Sequence, residues 1–172
     1  MPRTNVALVG FMGAGKSTVG RELAAHMGKT FVETDALVER RAGMSVSDVF
    51  ACHGEGHFRD LESAVVREAA ESHDCVIACG GGVVLREENV AALKASSVLV
   101  YLEVSPQSVL SRIGPQSTVR PLLSGPDMER RVAELMQQRR SAYEAAADVT
   151  VVTDGLAVEQ VVLHVQERLT QV

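Results

Sequence analysis

The chain has 172 residues, of which 46% are hydrophobic and 23% charged, and this composition excludes a disordered, collagen-like or coiled-coil protein. Its length corresponds to one domain, large enough to bury roughly 70% of its unfolded surface without a disulfide or a structural metal. The 17 basic and 22 acidic residues give a net charge of −5 with no basic stripe, so we expect no nucleic-acid partner.

The cysteines and the apolar segments predict where the protein resides. The three cysteines are an odd number without a C-x-x-C pair, which is typical of reduced thiols in a cytosol. Cys75 and Cys79 lie in an apolar run and are interpreted as buried small hydrophobic residues. The first apolar stretch is interrupted by glycines and by Lys16, which excludes a signal peptide or a membrane span there. We therefore expect a cytoplasmic monomer with no membrane partner.

Five short apolar runs rich in β-branched residues predict the strands. They are hydrophobic throughout rather than alternating, as strands buried on both faces of a parallel sheet must be. The predicted strands are residues 5–9, 30–32, 75–78, 98–102 and 149–152.

Segments with helical periodicity lie between these strands. The first has Val19, Leu23 and Met27 at a spacing of four residues, and Gly28 follows as a stop signal. The predicted helices are residues 16–27, 36–41, 58–70, 128–147 and 155–169. Alternating strands and helices favour a three-layer α/β fold with right-handed crossovers. Residues 113–126 hold three prolines and two glycines, and a connection of this length in a compact domain favours a lid.

The segment from Gly10 to Ser17 fits the phosphate-binding pattern G-x-x-x-x-G-K-[ST], directly after a predicted strand and at the start of a helix. Its glycines allow several backbone N–H groups to face one anion, and the helix adds its positive N-terminal end. We expect Lys16 to reach the β- and γ-phosphates of ATP and Ser17 to ligate Mg²⁺. The predicted ATP-binding residues of this loop are Gly13, Ala14, Gly15, Lys16, Ser17 and Thr18.

An acceptor site is predicted after the second strand. The chain has no Asn-Lys-x-Asp motif, which a GTPase would use to read its base, and this favours a small-molecule kinase. Asp35 follows the second strand, at the carboxyl edge where α/β sheets bind ligands, and could take or orient an acceptor hydroxyl. The alternative is that Asp35 only caps the helix at residues 36–41.

Four further motifs follow the phosphate loop in a fixed order. They are G-E-x-x-F-R-x-x-E at residues 54–62, three glycines at 80–82, T-V-R-P-L-L at 118–123 and R-x-x-x-Y at 139–143. In this order the set closely resembles the shikimate kinase family, of the nucleoside-monophosphate-kinase-like P-loop fold, over nearly the whole chain. The resemblance implies one P-loop kinase domain over residues 1–172. It implies a five-stranded parallel sheet of order 2-3-1-4-5, a substrate-binding helical segment at about 34–62 and a lid at about 113–126.

The resemblance also implies roles for individual residues. Asp35 would bind the shikimate hydroxyls and act as the base, and Arg59 and Arg139 would grip the carboxylate. The backbone of Gly80, Gly81 and Gly82 would line the shikimate pocket. Arg120 would close over both substrates as a catalytic lid residue, and Arg112 would stack against adenine. Glu33 stands where the family usually has an aspartate that holds the water molecules of Mg²⁺.

The residues themselves support an acidic, hydroxylated acceptor. Guanidinium groups bond both oxygens of a carboxylate at a fixed geometry, and bare glycine backbone allows a ring to approach closely. The alternative for Arg59 and Arg139 is a solvated helix face, to which we assign Arg40, Arg41, Arg130, Arg131 and Arg140. Two other functions stay open: a kinase for another polyol acid such as gluconate, and a binder that has lost phosphoryl transfer.

Overall fold

Five parallel strands form the central sheet of the computed structural model, which describes residues 2–113 and 127–172. The sheet has the order β2-β3-β1-β4-β5, as the family resemblance implied. Every predicted strand is confirmed to within one residue at each end. The strands are β1 (Asn5–Val9), β2 (Thr30–Glu33), β3 (Cys75–Ala78), β4 (Ser97–Glu103) and β5 (Val149–Val152).

Seven α-helices are present in the described part of the chain, together with a short 3₁₀ turn at Val83–Leu85. The sequence analysis missed two of them, α4 and α5, which are short and lie close to strand ends. The helices are α1 (Lys16–Met27), α2 (Thr34–Ala42), α3 (Val46–Glu71), α4 (Glu87–Ser96), α5 (Pro106–Ile113), α6 (Met128–Ala146) and α7 (Val158–Leu169).

Two predicted helix starts were wrong because of glycines. The helix expected from Phe58 is the second part of α3, whose first part begins at Val46 with Ser45 as its cap; Gly54, with φ +82° and ψ 172°, is not helical and separates the two parts. The helix expected from Gly155 begins only at Val158, because Gly155 adopts φ +70° in a turn that precedes it. Ile113, expected to open the lid, is the last residue of α5; residues 114–126 lie outside the described part of the chain.

Helices cover both faces of the sheet, which confirms the three-layer architecture. The connection from β1 to β2 runs in the opposite direction along the sheet to those from β2 to β3 and from β3 to β4. Right-handed crossovers therefore place α1 on one face, and α3 and α4 on the other. The contacts agree, since α1 packs against α7 and α3 packs against α4.

The core is built largely from valine, leucine and alanine, since the chain has no tryptophan. A smaller cluster of Val38, Val49, Phe58 and Val65 joins α2 to α3 and thereby supports the helical pair beside the sheet edge. Cys75 and Cys79 are buried free thiols, as expected.

Among the residues that the structure describes, no helix combines the length and apolarity needed to cross a membrane.

The strand register brings the predicted site residues to one edge. Glu33 at the end of β2 lies opposite Ala78 at the end of β3, and Leu8 of β1 lies opposite Ala78 on its other side. The phosphate loop, the start of α2 and the glycines after β3 therefore all leave the sheet at its carboxyl edge, where ligands bind in folds of this kind.

Candidate active site

The phosphate loop turns tightly between β1 and α1. Gly10 has φ +149°, and a Cβ there would lie 2.6 Å from the carbonyl oxygen of Leu102, so only glycine fits. The ammonium group of Lys16 donates to the carbonyls of Gly10 at 2.8 Å and Phe11 at 2.9 Å. Lys16 is thus buried at the base of the loop rather than extended into solvent. It lies beside backbone N–H groups that suit phosphate oxygens.

Ser17 and Glu33 meet next to this loop. The Ser17 hydroxyl donates to one oxygen of the Glu33 carboxylate, and Arg21 lies 3.3 Å from the other. The longer glutamate side chain therefore still reaches the serine from the end of β2. A hydroxyl and a carboxylate oxygen are the hard ligands that Mg²⁺ prefers, so these two residues fit that ion. No group of three or more metal-ligating His, Cys, Asp or Glu side chains was found in residues 2–113 and 127–172.

Arg112 lies beside the phosphate loop. It donates to the carbonyl of Gly13 at 3.1 Å and to that of Thr153 at 3.4 Å, and so joins the phosphate loop to the segment after β5. Asp154 in that segment accepts hydrogen bonds from Ser105 at the start of α5. Hydrogen bonds from Ser108 and Ser105 hold the pKa of Asp154 below its usual value.

Asp35 does not cap a helix. Helix α2 begins at Thr34 with Glu33 as its N-cap, so Asp35 lies inside the first turn and the capping alternative was wrong. Thr34 is the residue with the local structural role, because its hydroxyl accepts the backbone N–H of Gly80 at 3.0 Å. Asp35 instead faces the cavity, with Oδ1 2.9 Å from where a Cβ on Gly80 would stand.

Arg59 is held in place by two carboxylates of its own helix. It donates to Glu62 at 2.8 Å and to Glu55 at 3.2 Å, and its side chain is almost fully buried. Glu62 is fully buried, and this burial raises its pKa although the charge of Arg59 opposes the shift. The sequence analysis assigned no role to Glu62. Its position three residues after Arg59, in the same motif, was the signal that could have identified it.

Arg139 approaches the same place from α6. It is buried, and its guanidinium lies 6.0 Å from the centroid of the Phe11 ring. Its Nη1 atom is buried and has no hydrogen-bond partner among the described residues. This donor is available to a ligand in the cavity, and an unsatisfied buried group costs about 1–3 kcal/mol.

Burial separates the site arginines from the others. Arg59 and Arg139 are 7% and 4% exposed, so the solvated-face alternative was wrong for both. The arginines assigned to a solvated face are exposed, as predicted: Arg40, Arg41, Arg130, Arg131 and Arg140.

One cavity of about 570 Å³ brings the two halves of the site together. Its lining includes residues of the phosphate loop, Glu33, Asp35, Arg59 and Arg139, together with Gly80–Gly82. The structure also places side chains there that the sequence did not single out: Met12, Glu39, Val46, Phe50, Phe58 and Glu62. Arg120 belongs to residues 114–126, outside the described part of the chain.

Because Gly82 has no side chain, the Arg59 guanidinium can lie directly against its backbone. A Cβ on Gly82 would overlap Nη1 and Nη2 of Arg59. We expect Gly82→Ala to displace the guanidinium and weaken binding of a carboxylate ligand about tenfold or more, and to lower folding stability as well, because the buried Glu62 carboxylate loses its ion pair. Gly56→Ala is the control, since a Cβ there meets nothing within 4 Å. Equal affinities of the two variants in calorimetry would contradict this prediction.

Known proteins match this chain over nearly all of its length. The family model described as shikimate kinase matches residues 12–170. A shikimate kinase of Symbiobacterium thermophilum is 45% identical over 168 residues, which cover 97% of this chain and 97% of that protein. A shikimate kinase of Moorella thermoacetica is 42% identical over 165 residues, 96% of this chain and 94% of that protein.

Solved structures agree with these relatives. The shikimate kinase from Acinetobacter baumannii in complex with shikimate superposes with a TM-score of 0.94 at 32% identity, covering 98% of this chain and 93% of that one. The shikimate kinase from Bacteroides thetaiotaomicron gives a TM-score of 0.89 at 29% identity, with coverage of 97% and 98%. Fold, sequence and the order of the site motifs lead to one conclusion: this chain belongs to the shikimate kinase family.

Proposed function

We propose that this chain transfers the γ-phosphoryl group of ATP to the 3-hydroxyl of shikimate, giving shikimate 3-phosphate and ADP in aromatic amino-acid biosynthesis. The observation that carries the proposal is one cavity lined both by the phosphate loop and by two buried guanidinium groups, those of Arg59 and Arg139. Such a cavity suits an acceptor that has a carboxylate and a hydroxyl on opposite sides.

The residues of the acceptor site orient shikimate for the reaction. The shikimate carboxylate bonds to Arg59 and Arg139, whose spacing is set by α3 and α6. Gly80, Gly81 and Gly82 allow the ring to approach the backbone, and its hydroxyls then face Asp35. Holding the acceptor oxygen in line with the γ-phosphorus supplies much of the rate enhancement in phosphoryl transfer.

The chemical step is a displacement at phosphorus. Asp35 accepts the proton of the 3-hydroxyl while the oxygen of that hydroxyl forms a bond to the γ-phosphorus. The bond between the γ-phosphorus and the β,γ-bridging oxygen breaks, and ADP is released. The N–H groups of the phosphate loop and the ammonium of Lys16 stabilise the charge on the phosphate oxygens. Gly13, Ala14, Gly15, Ser17 and Thr18 complete the proposed contacts of this loop with ATP.

Mg²⁺ is the proposed cofactor, held by Ser17 directly and by Glu33 through water. When bound, it neutralises charge on the β- and γ-phosphates. Arg112 is proposed to stack against adenine, since it already lies at the nucleotide end of the site. Arg120, outside the described residues, is proposed to close over the phosphates as part of a lid at about 113–126.

We propose a cytoplasmic monomer consisting of one P-loop kinase domain over residues 1–172, without a nucleic-acid or membrane partner. The net charge of −5 and the free cysteines support this assignment. Within the domain, the substrate-binding segment at about 34–62 corresponds to α2 and the first part of α3.

Arg59→Ala and Arg139→Ala test the acceptor assignment. Each removes a charge-assisted fork worth about 2–3 kcal/mol, so we expect shikimate binding to weaken about thirtyfold to a hundredfold while ATP binding is retained. Arg140→Ala is the matched control, because Arg140 is the next residue of α6 but is exposed and paired with Glu144. If calorimetric titration shows that ATP affinity falls and shikimate affinity is unchanged, these arginines do not bind the shikimate carboxylate and the assignment is wrong.

A further inference from the structure

Tyr143 is a buried phenol that joins two parts of the acceptor site. It lies in α6, four residues after Arg139 and therefore on the same face of the helix, and it is 1% exposed. Its hydroxyl donates to the carbonyl oxygen of Gly81. The Arg139 guanidinium lies beside the same hydroxyl, where its charge opposes the effect of burial on the pKa of Tyr143, and its Nη1 atom lies 3.8 Å from where a Cβ on Gly81 would stand. The Tyr143 hydroxyl thus donates to the glycine segment and lies next to the guanidinium group of Arg139.

The sheet fixes the position of this ring. Tyr143 stacks on Tyr101, with the ring centroids 5.1 Å apart and the planes 19° from parallel. Tyr101 belongs to β4 and lies opposite Val9, the last residue before the phosphate loop. Burial raises the pKa of Tyr143 to about 12, so the phenol keeps its proton for the bond to Gly81 in the neutral range.

Each glycine after β3 is matched to a side chain from a different helix. Thr34 of α2 accepts the N–H of Gly80, and Arg59 of α3 occupies the space beside Gly82. Tyr143 of α6 supplies the contact at Gly81. The glycine segment therefore contacts all three helices and links the helix that carries Arg139 to the helices that carry Asp35 and Arg59.

We propose that Tyr143 is a positioning residue for the acceptor: its hydroxyl fixes the Arg139 guanidinium relative to Gly81, and so sets the geometry in which Arg139 binds the shikimate carboxylate. This inference rests on the proposed role of Arg139. It accounts for the Arg139–Tyr143 motif, whose tyrosine has no part in the chemical step.

Tyr143→Phe tests the proposal, because it removes one oxygen atom and keeps the ring and its stacking partner. Gly81 loses its hydrogen-bond donor and Arg139 loses the polar oxygen beside it, so we expect the dissociation constant and KM for shikimate to rise about tenfold to thirtyfold. Since neither group touches ATP, the KM for ATP should change less than about twofold and kcat less than about threefold. Calorimetry and steady-state kinetics on the same preparation measure all four quantities.

Tyr101→Phe is the matched control, since it removes the same atom from the stacked ring, near the charges of Glu103 and Arg140. We expect it to leave shikimate affinity unchanged. In an Arg139→Ala background, Tyr143→Phe should add little further loss, because the hydroxyl acts through Arg139.

Three results would overturn the proposal. One is a Tyr143→Phe protein with a lower melting temperature but normal shikimate affinity, which would mean that the hydroxyl only stabilises the fold. Another is a parallel loss of ATP binding, and the third is full additivity with Arg139→Ala. Failure of the proposed function itself would be seen separately, as wild-type protein that does not bind shikimate.

Discussion

Lys16→Met is expected to reduce phosphoryl transfer by at least about 10³-fold, the loss typical when a charge that stabilises the transferring group is removed. The methionine keeps most of the side-chain volume at the base of the phosphate loop. Lys16 also donates to the carbonyls of Gly10 and Phe11, so we expect unfolding free energy to fall by about 1–2 kcal/mol without loss of the fold.

Turnover and thermal melting on one preparation separate these two effects. Lys29→Met is the matched control, because Lys29 bonds the carbonyl of Thr4 and pairs with Asp74, away from the cavity. We expect Lys29→Met to cost some stability and no activity. A folded Lys16→Met protein with near-normal turnover would remove Lys16 from the proposed mechanism.

Asp35→Asn is expected to lower turnover about 10²–10⁴-fold, the usual range for general-base assistance. The substitution changes one charge and almost no volume, and the amide can still accept a hydrogen bond from the acceptor hydroxyl. It cannot take the proton of that hydroxyl. Because Glu33 rather than Asp35 is the N-cap of α2, we expect the melting temperature to change little.

A suitable control for Asp35→Asn makes the same change at an equivalent place. Asp48 lies in the first turn of α3, at an exposed position outside the cavity. We expect Asp48→Asn to keep full activity and ATP to bind both variants normally. An Asp35→Asn protein that is stable and fully active would end the assignment of a catalytic role to Asp35.

The strands and the phosphate loop could be predicted from the sequence because their signals are local. A strand buried on both faces must be apolar throughout, and the glycines and Lys16 of the loop are adjacent in the chain. Helix α3 was predicted only in part, since Gly54 breaks the helical backbone and the part before it, capped by Ser45, is held beside the second part by the apolar cluster that contains Val49 and Phe58.

The spacing of Glu62 from Arg59 pointed to a pair, but neither the burial of that pair nor the contact that Tyr143 makes with another element could be predicted from the sequence. Glu62 matters because it is fully buried against Arg59, and the sequence shows only a charged pair three residues apart. Tyr143 meets Gly81 across 62 residues of chain. Asp35 illustrates the same limit, since whether it caps a helix depends on where α2 begins.

ADP release measured with shikimate, with gluconate and without an acceptor, in the presence of ATP and Mg²⁺, tests the central claim most directly. The cavity with Arg59, Arg139 and Asp35 predicts rapid release with shikimate, one shikimate 3-phosphate formed for each ADP, and only background release in the other two reactions. Release that is faster with gluconate would identify a different polyol-acid kinase. No release with any acceptor, from protein that binds ATP, would identify a binder without transferase activity and contradict the account.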